Sequence, residues 1–261
     1  MLSFTDQTGQ VIRLTAIPQR IISLVPSQTE LLADLRLADE VVGITKFCIH
    51  PKDWFQTKTR VGGTKKINLS LIHSLHPDLI IANKEENVKE QINELQQQYP
   101  VWISDINNLD DAYEMIEQIG AMTGKSEQAT CISKQISAEF SQLQTANFKP
   151  KTAYLIWQKP YMTVGGDTFI HSMLELAGFD NIWKEKTRYP EITIDELRNA
   201  HCELLLLSSE PFPFQQKHID ELQPLLPDTK IILADGELFS WYGSRLLKTP
   251  AYFKELHKQL A

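Results

Sequence analysis

The sequence predicts an α/β protein of two lobes with mainly parallel sheets, joined by a single long backbone helix. Three observations carry this expectation. Short apolar runs suited to buried strands alternate with helical stretches along most of the chain, the pattern of parallel sheets with crossover helices. Residues 126–147 contain no Pro or Gly and repeat apolar residues at helical spacing. The strand–helix alternation then resumes beyond them. The expected organisation is an N-terminal α/β lobe over 1–125, a connecting helix over 126–148 and a C-terminal α/β lobe over 149–261.

The first lobe opens with β-prone residues on both sides of Gln7-Thr8-Gly9, a hairpin with Gly at a positive-φ position. The apolar run over 20–25 is a buried strand, ended at Pro26. Ser27-Gln-Thr-Glu30 has the form of a capping box, so a helix is expected from there through Leu31, Leu32 and Leu35. Strands follow over 41–44, 78–82 and 101–104. Helices are expected over 68–75, stopped before Pro77, over 86–98 with Val88, Ile92 and Leu95 inward, and over 110–122 with Gly124 beyond the end. In the connecting helix Ala129, Ile132, Ile136, Phe140 and Leu143 share one face. At 1.5 Å per residue it would be roughly 30 Å long, a stiff joint rather than a Gly/Ser linker. The second lobe has strands over 153–157, 161–164, 203–208 and 230–234. A helix follows Gly165-Gly166-Asp167-Thr168 and stops at Gly178. Thr193-Ile-Asp-Glu196 is a second capping box, and a closing helix runs over 246–260.

Composition narrows the function. A net charge of −7 argues against nucleic acid, which rewards basic patches. No run of about 18 apolar residues exists, so no membrane span is expected. The first residues show no basic start, apolar stretch or cleavage site, and a cytoplasmic location is the expectation drawn from that. Cys48, Cys131 and Cys202 are three and far apart, forming neither a disulfide framework nor a metal knuckle.

In open α/β sheets ligands bind beyond the carboxyl ends of the strands. The residues there are Pro26 and Ser27, Lys46 and Phe47, and Lys84 and Glu85 in the first lobe. In the second they are Trp157, Gly166, Asp167, Arg188, Tyr189, Glu210, Phe212, Trp241, Tyr242 and Arg245. Aromatic walls with a few polar groups suit a large, flat, partly apolar ligand. Trp157, Tyr189, Phe212, Trp241 and Tyr242 would stack on it. Lys46, Lys84, Arg188 and Arg245 would meet carboxylates, amides or phosphate. Each has a plainer reading. Trp241 and Tyr242 also suit a cover over the sheet end. Gly165-Gly166 resembles a phosphate nest but lacks the dinucleotide and phosphate-loop patterns, so a turn comes first. Cys48-Ile-His50 offers two metal ligands without a third, and no metal site is assigned. No G-x-S-x-G elbow and no paired carboxylates appear, so no residue is assigned a catalytic role.

Several segments carry a resemblance. Arg20-Ile-Ile-Ser-Leu-Val-Pro-Ser-Gln-Thr-Glu30, Val61-Gly-Gly63, Asn68-Leu69 and Leu75-His-Pro-Asp-Leu-Ile80 resemble the helical-backbone substrate-binding proteins of ABC importers, the group carrying cobalamin, haem and ferric siderophores. Residues 165–178 with Asn181, and 189–197, are similar too, so the resemblance covers almost the whole chain. Within that group the chain looks closest to the cobalamin-binding branch and, more narrowly, resembles a subgroup of cobalamin-binding or metal-receptor proteins carrying Val61-Gly-Gly-Thr-Lys65, Ala82-Asn-Lys-Glu-Glu-Asn87, Glu210-Pro-Phe-Pro-Phe214 and Trp241-Tyr-Gly243. The resemblance implies a non-enzymatic protein that binds a cobalamin-like metal chelate in the cleft between its lobes, requires no cofactor and hands its ligand to an ABC permease. Asp195 matches the acidic docking residue of the second lobe, whereas Ser70 stands where the first lobe's acid is expected, which weakens the permease assignment. Thr64 stands where the cobalamin carrier has a stacking aromatic. The resembled family is extracytoplasmic, which is the alternative location. Two other functions stay open: a cytosolic corrinoid or metal-chelate receptor without a permease, and a hydrolase or metal-dependent enzyme using Cys48, His50 or Glu210.

Overall fold

The structure, a computed structural model, describes residues 1–143 and 149–260. The chain divides into two compact units. One comprises Met1–Ile106, Asp110–Ser137 and Tyr242–Leu247; the other comprises Asn107–Leu109, Ala138–Trp241 and Lys248–Ala261.

The first unit begins with β1 (Leu2–Thr5) and β2 (Val11–Leu14), an antiparallel hairpin whose turn holds Gly9 at φ +87. There follow β3 (Ile21–Ser23), α1 (Pro26–Asp34), β4 (Val41–Ile44), α2 (Lys52–Thr57) and β5 (Thr59–Arg60). Then come α3 (Leu69–Ser74), β6 (Leu79–Asn83), α4 (Lys89–Gln96), β7 (Val101–Ser104), α5 (Leu109–Met122) and α6 (Ser126–Ser141). The five parallel strands lie in the order β5-β4-β3-β6-β7. From β3 the chain builds outward through β4 and β5, then returns to the other side of β3 with β6. This reversal opens a crevice at the carboxyl ends of β3 and β6, where such sheets take ligands. Every residue of β6 and β7 is buried, as parallel strands covered on both faces require. Ile22, Leu24, Ile80, Ala82, Val101 and Ile103 form a core with Ile72, Ile92 and Leu95 of the covering helices.

The second unit contains β8 (Lys151–Leu155), β9 (Tyr161–Met162), α7 (Phe169–Leu176), β10 (Asp180–Asn181), β11 (Glu191–Ile192), α8 (Ile194–Asn199) and β12 (Leu204–Ser208). It closes with α9 (Gln216–Leu222), β13 (Lys230–Ala234), α10 (Glu237–Ser240) and α11 (Thr249–Lys258). Its parallel sheet has the order β10-β8-β12-β13, and β9 pairs with β11 as an antiparallel ribbon. Here the order reverses at β8, so the crevice lies beyond β8 and β12. Ala153, Leu155, Leu205 and Leu207 pack against Leu197, Leu222 and Leu226.

Both units are α/β with parallel sheets, as the sequence predicts, and several details differ. Ser27-Gln-Thr-Glu30 is no capping box: α1 starts earlier, with Val25 rather than Ser27 as N-cap, no side-chain cap and Pro26 in the first turn. The second box is real, with Thr193 and Glu196 bonded reciprocally. Val88 caps α4 instead of lying inside it. The closing helix is broken into a 3-10 turn (Ser244–Leu247) and α11, because Pro250 sits in the first turn of a new helix. α6 ends at Ser141, about 24 Å after it starts at 1.5 Å per residue. Ala129, Ile132, Ile136 and Phe140 are buried on it, and the part expected over 144–148 lies outside the described residues.

Candidate functional site

The crevice of the first unit stands on a buried polar network. Asn83 ends β6, and its Oδ1 accepts from the backbone N–H groups of Glu85 and Glu86, turning the chain sharply. Its Nδ2 donates to Ser104 Oγ at 3.0 Å, and Gln28 Nε2 donates to the same hydroxyl. Asn87 Nδ2 reaches the carbonyls of Leu24 and Thr64, tying the ends of β3 and β6 to the Gly62-Gly63 loop. Lys65 Nζ donates to the Glu85 carbonyl at 2.6 Å. These bonds make the ends of the strands a fixed platform. None of Gln28, Asn83, Asn87 and Ser104 is singled out by the sequence reading. The recurrence of Asn at both ends of Asn83-Lys-Glu-Glu-Asn87 was the available signal.

On that platform Pro26 is half-buried and Ser27 is buried at the start of α1. Lys46 and Phe47 are brought together: Phe47 is 50% exposed and the Lys46 ammonium lies 5.0 Å from its ring centroid. Lys84 is not a free cation, since its Nζ lies 2.6 Å from Asp105 Oδ2. Thr64 is buried. Arg245 has an internal partner. It is buried, and its guanidinium is forked onto Glu30, Nε to Oε2 at 2.7 Å and Nη2 to Oε1 at 2.9 Å. A buried guanidinium held bidentately by an internal carboxylate is committed to the fold. Tyr242, also buried, belongs to the same segment, Tyr242–Leu247, which lies on α1. Gly243 turns the segment at φ +105, a conformation that side-chain-bearing residues rarely adopt.

The second unit joins Trp157 and Phe212 across the ends of β8 and β12. Their rings meet edge-on with centroids 5.7 Å apart, and Trp157 is 40% exposed. Phe212 in turn meets Phe214 and His218, both buried, so the outer aromatic pair has a rigid backing. Glu210 and Trp241 are joined by a 2.8 Å bond from Trp241 Nε1 to Glu210 Oε1, and Ser240 Oγ donates to the same oxygen at 2.8 Å. Trp241 is buried. Burial pushes the Glu210 carboxyl above the usual carboxylate range, and Glu237 and Asp235 add to the rise against the bonds from Ser240 and Trp241.

Gly166 and Asp167 form a brace. Gly165 and Gly166 donate their N–H groups to the carbonyls of Arg188 and Lys186, and Asp167 Oδ1 accepts from the Arg188 N–H. The two glycines are a packing requirement: a Cβ on Gly166 would fall 2.0 Å from the Lys184 carbonyl oxygen. The loop so held presents Arg188, at φ +58, over the Tyr189 ring at 5.6 Å. A concavity of about 530 Å³ at the edge of β13 is lined by Ser209, Phe214, Asp235, Glu237 and Tyr252 among others, and by none of the candidate ligand residues.

Cys48 is buried, with Thr29 Oγ1 and Thr45 Oγ1 each 3.1 Å from its sulfur, and burial pushes its thiol up. Among the described residues no three His, Cys, Asp or Glu side chains are placed to hold a metal. No helix among them is long and apolar enough to cross a membrane. Asp195 stands exposed in the first turn of α8, 2.7 Å from Arg198, and Ser70 is exposed in the first turn of α3.

Comparison with known proteins follows the same lines. An ABC transporter substrate-binding lipoprotein of Bacillus subtilis (strain 168) is 26% identical over 204 residues, covering 74% of this chain and 64% of the relative. The chain thus spans a little under two thirds of that protein's length. A vitamin B12-binding protein of Vibrio campbellii is 28% identical over 199 residues, 73% of this chain and 70% of the relative. The periplasmic heme-binding protein RhuT from Roseiflexus sp. RS-1 shares the fold with a TM-score of 0.78 at 19% identity, over 91% of this chain and 98% of its own. A sequence model described as periplasmic binding protein matches residues 21–224. The match takes in the first parallel sheet and all of the second but β13, and the chain belongs to the periplasmic binding protein family.

Proposed function

We propose that this protein is the substrate-binding component of an ABC-type importer and that its ligand is a large, ring-bearing metal chelate of the cobalamin kind. The observation that carries the ligand class is the solvent-facing Trp157 braced edge-on by Phe212 at the carboxyl ends of β8 and β12. Large apolar ring faces stack on such surfaces. Phe47 with Lys46 and Tyr189 with Arg188 add two aromatic–cation pairs on neighbouring loops of their own units. The named vitamin B12-binding relatives support cobalamin over other chelates, and the heme-binding relative is the rival. Relatives named as periplasmic or as a lipoprotein support a site of action outside the cytoplasm, in place of the cytoplasmic location expected from the first residues. No finding favours the cytosolic receptor or the enzyme. Asp195 would meet a permease through α8, its exposed pair with Arg198 being weak enough to exchange.

Titration with cyanocobalamin, followed by tryptophan fluorescence and thermal melting, tests the ligand. Saturable quenching and a rise in melting temperature are expected, since ligand at about 100 times its Kd stabilises by about 2.7 kcal/mol. No change at high micromolar ligand overturns the cobalamin assignment.

A further inference from the structure

Glu210 is a carboxylate oriented from one side only. Its Oε1 takes both bonds, from Ser240 Oγ and Trp241 Nε1, at the end of α10. Gly236 admits this close approach, since a Cβ there would stand 2.6 Å from Glu210 Cγ. Ser208 Oγ fixes the backbone of the same residue at 3.2 Å from its N–H. Among the described residues no donor reaches the other oxygen, Oε2. The residue lies two positions before Phe212, which braces the exposed Trp157.

Holding this charge is unfavourable for the fold. The carboxylate is half-buried, and the two charged groups that act on it, Glu237 of α10 and Asp235 at the end of β13, are both acidic. Tyr154 of β8, which also feels this carboxylate, is a neutral phenol whose ionisation burial suppresses. A glutamine would accept the same two bonds through its carbonyl oxygen without the desolvation cost. The charge therefore acts on something outside this bonding scheme.

We infer that Glu210 is a specificity-determining residue: its open oxygen accepts a hydrogen bond from an amide or hydroxyl at the rim of the ligand, and its charge excludes the same ring bearing carboxylates there. The inference rests on the reading that the loops after β8 and β12 receive a large ring. It concerns the periphery of the ligand, not the ring itself.

Two probe pairs separate the two readings. Dicyanocobinamide and dicyanocobyrinic acid share a corrin and differ in amide against carboxylate substituents. Haemin dimethyl ester and haemin share a porphyrin and differ in the same sense of charge. At about pH 7.5, where free carboxylates are ionised, the neutral member of a pair that binds is expected to bind at least about tenfold tighter, a difference of about 1.4 kcal/mol. Glu210→Gln is expected to shrink that ratio at least about threefold by strengthening the anionic member, and Glu210→Asp to retain it. Preference within the porphyrin pair with no binding of either corrin overturns the cobalamin assignment and upholds the role of Glu210. Equal binding within a pair by the unaltered protein, or an unchanged ratio in Glu210→Gln, overturns the inference. Binding of none of the four overturns both. The unaltered protein alone decides the matter if Glu210→Gln does not fold.

Discussion

Arg245 meets Glu30 across 215 residues of sequence, and both side chains are about nine-tenths buried. Removing one partner leaves the other charge buried without its counter-ion, which costs about 3–5 kcal/mol. Glu30→Gln and Arg245→Met are each expected to lower the free energy of unfolding in urea by that order, and the double variant to cost clearly less than the sum. Additive losses would show that the pair is not the coupling element. Glu210 titrates with the opposite sign to a salt-bridged acid. Below the ordinary carboxylate range it is protonated in both states. Between that range and its raised native value, the folded protein keeps a proton the unfolded chain has released. Stability from this group therefore falls as pH rises through that window. Glu210→Gln, which has no such proton, is expected to gain stability relative to the parent as pH rises from about 4 through the raised native value; a constant difference across paired melts would contradict this. The sequence displayed Glu210 and Arg245 as equals in a list of cleft candidates. Nothing local distinguished a half-buried carboxylate from a buried guanidinium, because their partners are Trp241, 31 residues away, and Glu30, 215 away.

At the scale of elements, the sequence was most legible where a local rule decides. Val41–Ile44, Val101–Ser104 and Lys230–Ala234 are fully apolar or nearly so, and their bounds coincide with the runs read from the sequence. The Thr193 box forms because Glu196 is free to turn back on its own N-cap, with Thr193 N–H bonding to its carboxylate at 2.7 Å. In Ser27-Gln-Thr-Glu30 the glutamate is drawn to Arg245 instead, and the same spelling yields no cap. Short elements such as β5, β10 and β11 are two residues long, and tertiary pairing alone creates them. Two variants check the local assignments. Thr193→Ala is expected to cost about 1 kcal/mol, as loss of a cap does. Gly166→Ala must displace the turn at Lys184, and a destabilisation of about 2–3 kcal/mol or more is expected from that overpacking. Denaturant unfolding measures both, and a neutral Gly166→Ala would show that the loop yields.

For the whole molecule, each unit has its own sheet and core, yet the first is not a continuous stretch of chain. Its last piece, Tyr242–Leu247, comes from near the other end. A fragment over 1–141 therefore lacks the counter-ion of Glu30. In that fragment the contribution that Arg245 makes through Glu30 is absent, so Glu30→Gln is expected to cost less than the about 3–5 kcal/mol of the entire chain. Equal costs in the two would place the stabilisation elsewhere. The repeated strand–helix alternation made both sheets readable from the sequence. The returning segment was not readable, since a six-residue turn carries no periodicity that names its destination.

That return sets a timetable for the newborn chain. Glu30 leaves the ribosome 215 residues ahead of Arg245, and at about 5–20 residues per second the interval is on the order of 10–40 s. For that time α1 has neither its closing turn nor its guanidinium, so the earliest domain to emerge is the one that must wait for the end of synthesis to be completed.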